Sequence, residues 1–149
     1  MSENDALSRI IAIDYGEKRI GLALTDPLFI FAYPFKTLPN DSNFFNELRK
    51  IINEQNILKI ILGYPLKESG DLSSITEEVL KFKKKLENAF KLEVVLKDER
   101  YTSSIAKEII NKTVTKKSKR RDKGLIDKSS AAIILQDYLD ENGDRNNKL

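Results

Sequence analysis

Arg9-Ile10-Ile11-Ala12-Ile13-Asp14-Tyr15-Gly16-Glu17-Lys18-Arg19-Ile20-Gly21-Leu22-Ala23-Leu24 holds two short apolar runs joined by a polar turn. Arg9 to Asp14 is rich in isoleucine and breaks at Tyr15-Gly16, which predicts a buried strand ending in a turn. Ile20 to Leu24 has the same character. Asp26-Pro27 closes it, because proline has no N–H with which to continue a ladder. Phe29 to Phe35 predicts a third strand, confined to an edge by Pro34. Three consecutive strands on short turns predict an antiparallel meander with one carboxylate, Asp14, at the end of its first strand.

Beyond the meander the apolar period changes. Phe44, Phe45, Leu48, Ile51 and Ile52 recur at helical spacing, with Asp41 or Ser42 as the N-cap. Ile57 to Leu62 then predicts a strand stopped by Gly63-Tyr64-Pro65. A second helix follows, opened by a capping box, Ser74-Ile75-Thr76-Glu77, with Ile75, Val79, Phe82 and Leu86 on one face. Leu92 to Leu96 predicts a fifth strand leading into Asp98-Glu99-Arg100, and Thr102 or Ser103 starts a helix through Ile105, Ile109 and Ile110. Asn111 to Gly124 lacks apolar periodicity and reads as a connection. A last helix is expected from about Asp127, with Ala131, Ile134, Leu135 and Tyr138 inward, fraying near Asn142-Gly143. The order predicts one α/β domain over 1–149, with tails at 1–8 and 142–149. Its core is a mixed five-stranded sheet with helices on both faces, a three-layer arrangement.

Composition narrows the chemistry. Hydrophobic residues at 40% and charged residues at 33% suit a globular chain with a solvated surface rather than a disordered one. No apolar run approaches the roughly 20 residues of a membrane span, so no membrane partner is expected and the cytoplasm is the expected location. The chain has no cysteine and no histidine, so a thiolate nucleophile, an imidazole base and a Cys/His zinc site are all excluded. Any metal must sit on oxygen ligands, which favours Mg²⁺ or Mn²⁺. The net charge of +3 is unevenly spread: Lys112 to Lys128 has eight basic and two acidic residues, leaving the remainder slightly acidic. A local positive segment on such a body suits a phosphate backbone.

Asp14, Glu99 and Asp127 are the candidate catalytic residues and metal ligands. Each stands where a predicted element begins or ends, the usual place for a site in an open mixed sheet. Taken singly, each has an ordinary explanation: Asp14 as a turn residue, Glu99 in a surface ion-pair cluster with Asp98 and Arg100, Asp127 as an N-cap. Together they form a carboxylate set whose mutual repulsion a divalent cation would relieve, and metal-assisted phosphodiester hydrolysis needs neither His nor Cys. Lys18 and Arg19 in the first turn are candidate phosphate contacts, with a plain hairpin carrying solvated charges as the alternative. The run Lys116-Lys117-Ser118-Lys119-Arg120-Arg121 precedes Asp127 and is the candidate for a nucleic-acid backbone; a solvated loop is its alternative.

These segments resemble the YqgF (RuvX) family, whose fold is related to Holliday-junction resolvases. The resemblance is carried by Ala12 to Ala23, Gly63-Tyr64-Pro65-Leu66, Asp98-Glu99-Arg100-Tyr101-Thr102, and Ile126-Asp127-Lys128-Ser129-Ser130-Ala131-Ala132 leading into Ile134 to Leu139, and it spans about residues 9–141. It implies a ribonuclease H-like fold and a cytoplasmic hydrolase acting on nucleic acid, RNA before DNA. Its implied role is 5′-end processing of pre-16S rRNA, with ribosomal precursor particles as partners. It assigns the acidic site to Asp14, Glu99 and Asp127 and adds Arg100 and Thr102 as substrate contacts. Two positions depart from the pattern: Tyr64 replaces a more usual aliphatic residue, and Ser130 stands where resolvase relatives have a further carboxylate.

Three alternatives remain at this level: a junction-type DNA resolvase, a non-catalytic RNA-binding or ribosome-assembly factor, and an actin-like ATPase, to whose phosphate loop Asp14-Tyr15-Gly16 is also similar. The last needs two lobes, and 149 residues supply one. Nothing in the sequence marks an interface between copies.

Overall fold

The computed structural model describes residues 7–64, 74–98 and 123–147, with backbone alone for residues 64, 74–76, 98, 123–127 and 143–147. Arg9–Asp14 (β1) is the middle of a five-stranded sheet. Its short link to Arg19–Thr25 (β2) enforces an antiparallel pair, and β2 pairs antiparallel in turn with Ala32–Pro39 (β3). The helix Phe44–Glu54 (α1) carries the chain back so that Ile57–Tyr64 (β4) lies parallel to β1 on its other side. Ser74–Phe90 (α2) repeats the crossover to Glu93–Asp98 (β5), giving the order β3-β2-β1-β4-β5. The last described helix is Lys123–Asn147 (α3). The mixed five-stranded sheet with helices on both faces is as expected.

Alternation along the strands sorts two cores. Ile11, Ile13, Ile20, Leu22, Leu24, Ile60 and Leu62 face α1 and α2, where Phe44, Leu48 and Ile51 meet Val79, Phe82 and Leu86. Each of these side chains, wholly removed from water, contributes about 1.5–3 kcal/mol. Phe82 is the hub of this face, with ring centroids of Tyr15, Phe44 and Phe45 at 4.8, 5.7 and 5.6 Å. Ile10, Ala12, Ala23 and Ile61 face the opposite way, against Ala131, Ala132, Ile134, Leu135 and Leu139 of α3. The small alanines on both surfaces bring α3 close to the sheet. Polar contacts fix its azimuth: Gln136 accepts from the Ala32 N–H and donates to the Ile30 carbonyl, and Lys59 donates to the Tyr138 hydroxyl at 3.0 Å.

Several boundaries differ from expectation, β4 among them, which continues past Leu62 through Gly63 to Tyr64 in step with β1 and β5. The third strand runs over Ala32–Pro39, not Phe29–Phe35. The Asp26 carboxylate accepts hydrogen bonds from the N–H groups of Leu28, Ile30 and Phe31, diverting those donors from any ladder, and Phe29 takes a φ of 59°. Residues 27–31 are therefore a folded loop, with Leu28 and Phe31 76% and 67% exposed, and the strand begins only at Ala32. Pro34 lies on the edge strand where the β2–β3 register slips, a place that tolerates a missing donor. The N-cap of α1 is Asn43, whose side chain caps nothing; Asp41 instead accepts from the Asn43 N–H. The helix α3 starts at Lys123 and continues through Asn147 rather than fraying at Asn142-Gly143; the Asn142 side chain donates back to the Tyr138 carbonyl. The β5 strand begins and ends later than Leu92–Leu96. The predicted helix from Thr102 or Ser103 and most of the 111–124 connection lie outside the described residues, as do the side chains of Ser74 and Thr76 in the capping box.

The Asp26 loop carries its own prediction. Burial is the largest single influence and raises the Asp26 pKa, but the N–H groups of Phe31, Ile30, Leu28 and Asp26 itself together outweigh it and hold the carboxyl below its ordinary value. A carboxyl depressed in the folded state stabilises at neutral pH and loses that contribution as pH falls through its folded pKa. Asp26→Ala should cost about 1 kcal/mol at pH 7, as removal of a capping carboxylate does, and less near pH 3. Thermal unfolding of both proteins across this range checks it.

Candidate active site

Asp14 closes the central strand, and strand alternation decides which way it looks. Ile11 and Ile13 belong to the α1/α2 core, and Ile10 and Ala12 to the α3 core, so Asp14 shares the α3 face. Its partner in β2 is Gly21 and its partner in β4 is Gly63. Cross-strand partners project to the same face, so the half-buried carboxylate stands between two positions that carry no side chain. No side chain therefore rises from the neighbouring strands at the Asp14 level, one strand spacing, about 5 Å, away on either side.

The turn that follows is tightly specified. A Cβ on Gly16 would collide with the backbone carbonyl of Arg19. Tyr15 sends its ring into the Phe82 cluster. Asn40, directly after β3, donates from its backbone to the Lys18 carbonyl at 2.9 Å and from Nδ2 to the Gly16 carbonyl at 2.8 Å. Lys18 is exposed on this hairpin and Arg19 half-buried at the start of β2, so both candidate phosphate contacts share the Asp14 end of the sheet.

On the opposing helix, Asp127 is the fifth residue of α3. It is therefore not the N-cap, contrary to one reading of the sequence: a residue with a full turn's start before it does not receive the helix's free N–H groups. It precedes the sheet-facing Ala131 by four residues and Ile134 by seven. Ser130, 1% exposed, buries a hydroxyl that has no hydrogen-bond partner among the described residues.

Glu99, Arg100, Thr102, Lys116, Lys117, Lys119, Arg120 and Arg121 lie outside the described residues, and Asp14 is the member of the acidic triad whose side chain is described. Among the described residues no three metal-ligating side chains cluster. Lys97 is level with Gly63, hence with Asp14, and ion-pairs with Glu141 of α3 at 2.6 Å, showing that β5 presents this parity to α3. Of the three candidate acids the described one, Asp14, offers a half-buried carboxylate flanked by glycines, an oxygen ligand of the kind a hard divalent cation takes. Reading the residues alone missed the flanking role of Gly21 and Gly63, because register pairs positions far apart in the chain. It also missed Asn40, which within Pro39-Asn40-Asp41-Ser42 carries only a loop signal.

The RuvX family profile, described as Holliday junction resolvase, matches residues 8–141. The chain belongs to the RuvX family. Two curated relatives, each called "Putative pre-16S rRNA nuclease", agree. The Salinibacter ruber protein is 37% identical over 144 residues, covering 96% of this chain and all of the relative. The Porphyromonas gingivalis protein is 41% identical over 140 residues, covering 93% and 100%. Among solved structures, Thermus thermophilus RuvC in complex with a Holliday junction aligns at TM-score 0.57 and 10% identity, over 91% of this chain and 96% of that one. The fowlpox virus resolvase with its junction DNA aligns at 0.55 and 13%, over 89% and 97%. At those identities the likeness concerns fold, and this RuvX protein has the ribonuclease H-like fold of both resolvases. No described helix of the RuvX chain is long and apolar enough to cross a membrane.

Proposed function

We propose that this chain is a cytoplasmic divalent-metal-dependent nuclease that trims the 5′ end of pre-16S rRNA, with Asp14, Glu99 and Asp127 holding Mg²⁺ or Mn²⁺. The observation that carries it is the placement of Asp14: at the end of the central strand, on the α3 face, between two glycines. The names of the relatives support the reaction and its substrate. The parity of β5 supports Glu99, two residues after Lys97, as the second ligand, and the α3 stripe that includes Ala131 supports Asp127 as the third.

A divalent ion supplies two things to phosphodiester hydrolysis: positive charge for the phosphate oxygens and a lower pKa for attacking water. The chain itself does the rest. Gly21 and Gly63 leave room for a nucleic-acid backbone beside Asp14. Lys18 and Arg19 on the hairpin hold phosphates, joined by Arg100, Thr102 and the basic segment Lys116, Lys117, Lys119, Arg120 and Arg121. With no histidine or cysteine, neither an imidazole nor a thiolate serves as the base.

Labelled pre-16S rRNA, a generic single-stranded RNA and a four-way DNA junction, each incubated with Mn²⁺ and with wild type or Glu99→Gln, test the proposal. Cutting of the rRNA precursor by wild type alone is the expected result. Preferential cutting of the junction would replace the RNA substrate with a branched DNA one. Salt-sensitive binding without cutting would make the chain an assembly factor.

A further inference from the structure

Asp14 is followed by four residues, Tyr15 to Lys18, before β2 begins. A link of that length is too long for a two-residue hairpin turn, so its own carbonyls need donors from elsewhere. One residue supplies two of them. Asn40 donates from its backbone to Lys18 and from its amide to Gly16, at 2.9 and 2.8 Å, across 24 positions in the chain in the second case. The adjoining residues bring it there. Pro39 pairs with Arg19 and ends β3, which sets Asn40 alongside Lys18. Asp41 then turns to accept the Asn43 N–H and receives the Phe44 N–H on its carbonyl, tying the same stretch to the start of α1. The hairpin is thus held on one side by Asn40 and on the other by the Tyr15 ring against Phe82.

We infer that Asn40 is a positioning residue for phosphodiester cleavage. Its paired hydrogen bonds fix the β1–β2 hairpin, and through it the aim of the Asp14 carboxylate. Asn40 touches no reacting atom in this scheme, and the inference rests on the nuclease reading above. Misplacement of reacting groups by about 1 Å can cost roughly 100-fold in rate, which sets the scale expected of the variants.

Asn40→Ala removes one of the two bonds and Asn40→Asp keeps the shape and the backbone donor while turning a carboxylate oxygen toward the Gly16 carbonyl. Both are compared with wild type at 20 °C on whichever substrate wild type cuts, with binding measured by anisotropy and hydrogen exchange followed in the peptide covering 15–19. The expected result is a fall in kcat of about 10- to 100-fold with KM and substrate affinity within about 3-fold, together with faster exchange confined to the hairpin. A purely structural role would lower the melting temperature and leave kcat at 20 °C unchanged, and that outcome overturns the inference. If Asn40→Ala does not fold, Asn40→Asp decides alone. If wild type cuts nothing, the nuclease reading itself fails and this inference with it; cutting by wild type with unchanged variants removes the inference and leaves the reading standing.

Discussion

Asp14→Asn should reduce cleavage by at least about 1,000-fold, a loss of about 4 kcal/mol of transition-state stabilisation, while nucleic-acid affinity stays within about 3-fold. The amide fills the same volume between Gly21 and Gly63, so β1 and its register survive. What disappears is a negative charge at the place proposed to hold a cation, and a neutral carbonyl oxygen is a much poorer ligand for a hard divalent ion. Binding is spared because it depends on cationic side chains elsewhere, and removing an acid from beside a phosphate eases repulsion. A second readout separates charge from fold. Mn²⁺ should raise the melting temperature of wild type by binding the folded state alone, and should raise that of Asp14→Asn little or not at all. Full cleavage by Asp14→Asn would remove this carboxylate from the reaction.

The parts of this architecture that were legible in the sequence are those written in local periodicity. Ile10 to Ile13, Ile20 to Leu24 and Ile57 to Leu62 are β-rich runs ended by turn residues, and all three became central strands. Phe44, Leu48 and Ile51 repeat at helical spacing and form one buried stripe. The third strand is present on the expected edge with Pro34 in it, but Phe29 to Phe31 fall outside it, because the Asp26 carboxylate collects the nearby N–H groups at short range, a competition that an apolar pattern does not reveal. Before Asp127 the departure runs the other way. Lys123 and Gly124 are polar and flexible in type, yet they extend α3 by a turn, since the helix is held by packing downstream at Ala131, Ile134 and Leu135. At the site, Asp14 was legible from its own strand. That Gly21 and Gly63 flank it depends on pairing between strands, and the Asn40 latch depends on where β3 ends, so neither has a local signature.

Gly16→Ala should cost about 2–3 kcal/mol and lower the melting temperature by roughly 6–10 °C, by overpacking a place that cannot yield. The added methyl would meet the carbonyl of Arg19, a backbone atom at the first rung of β2, and not the free end of a side chain. Arg19 cannot withdraw alone, because its rung pairs with Pro39, and Asn40 next to that proline holds both Lys18 and Gly16. Nor can Gly16 swing outward, since Tyr15 before it is seated against Phe82 at 4.8 Å. The strain must therefore appear as a shift of the whole hairpin, breaking at least one Asn40 bond and disturbing Asp14 two residues upstream. Cleavage should fall together with stability, and the loss should persist at temperatures where the variant is fully folded. Glycine at this position is required by a close approach of two backbone segments. Chemical denaturation and single-turnover cleavage at 20 °C check both halves of the expectation, and wild-type stability in Gly16→Ala would show that the hairpin has freedom which its three fastenings deny.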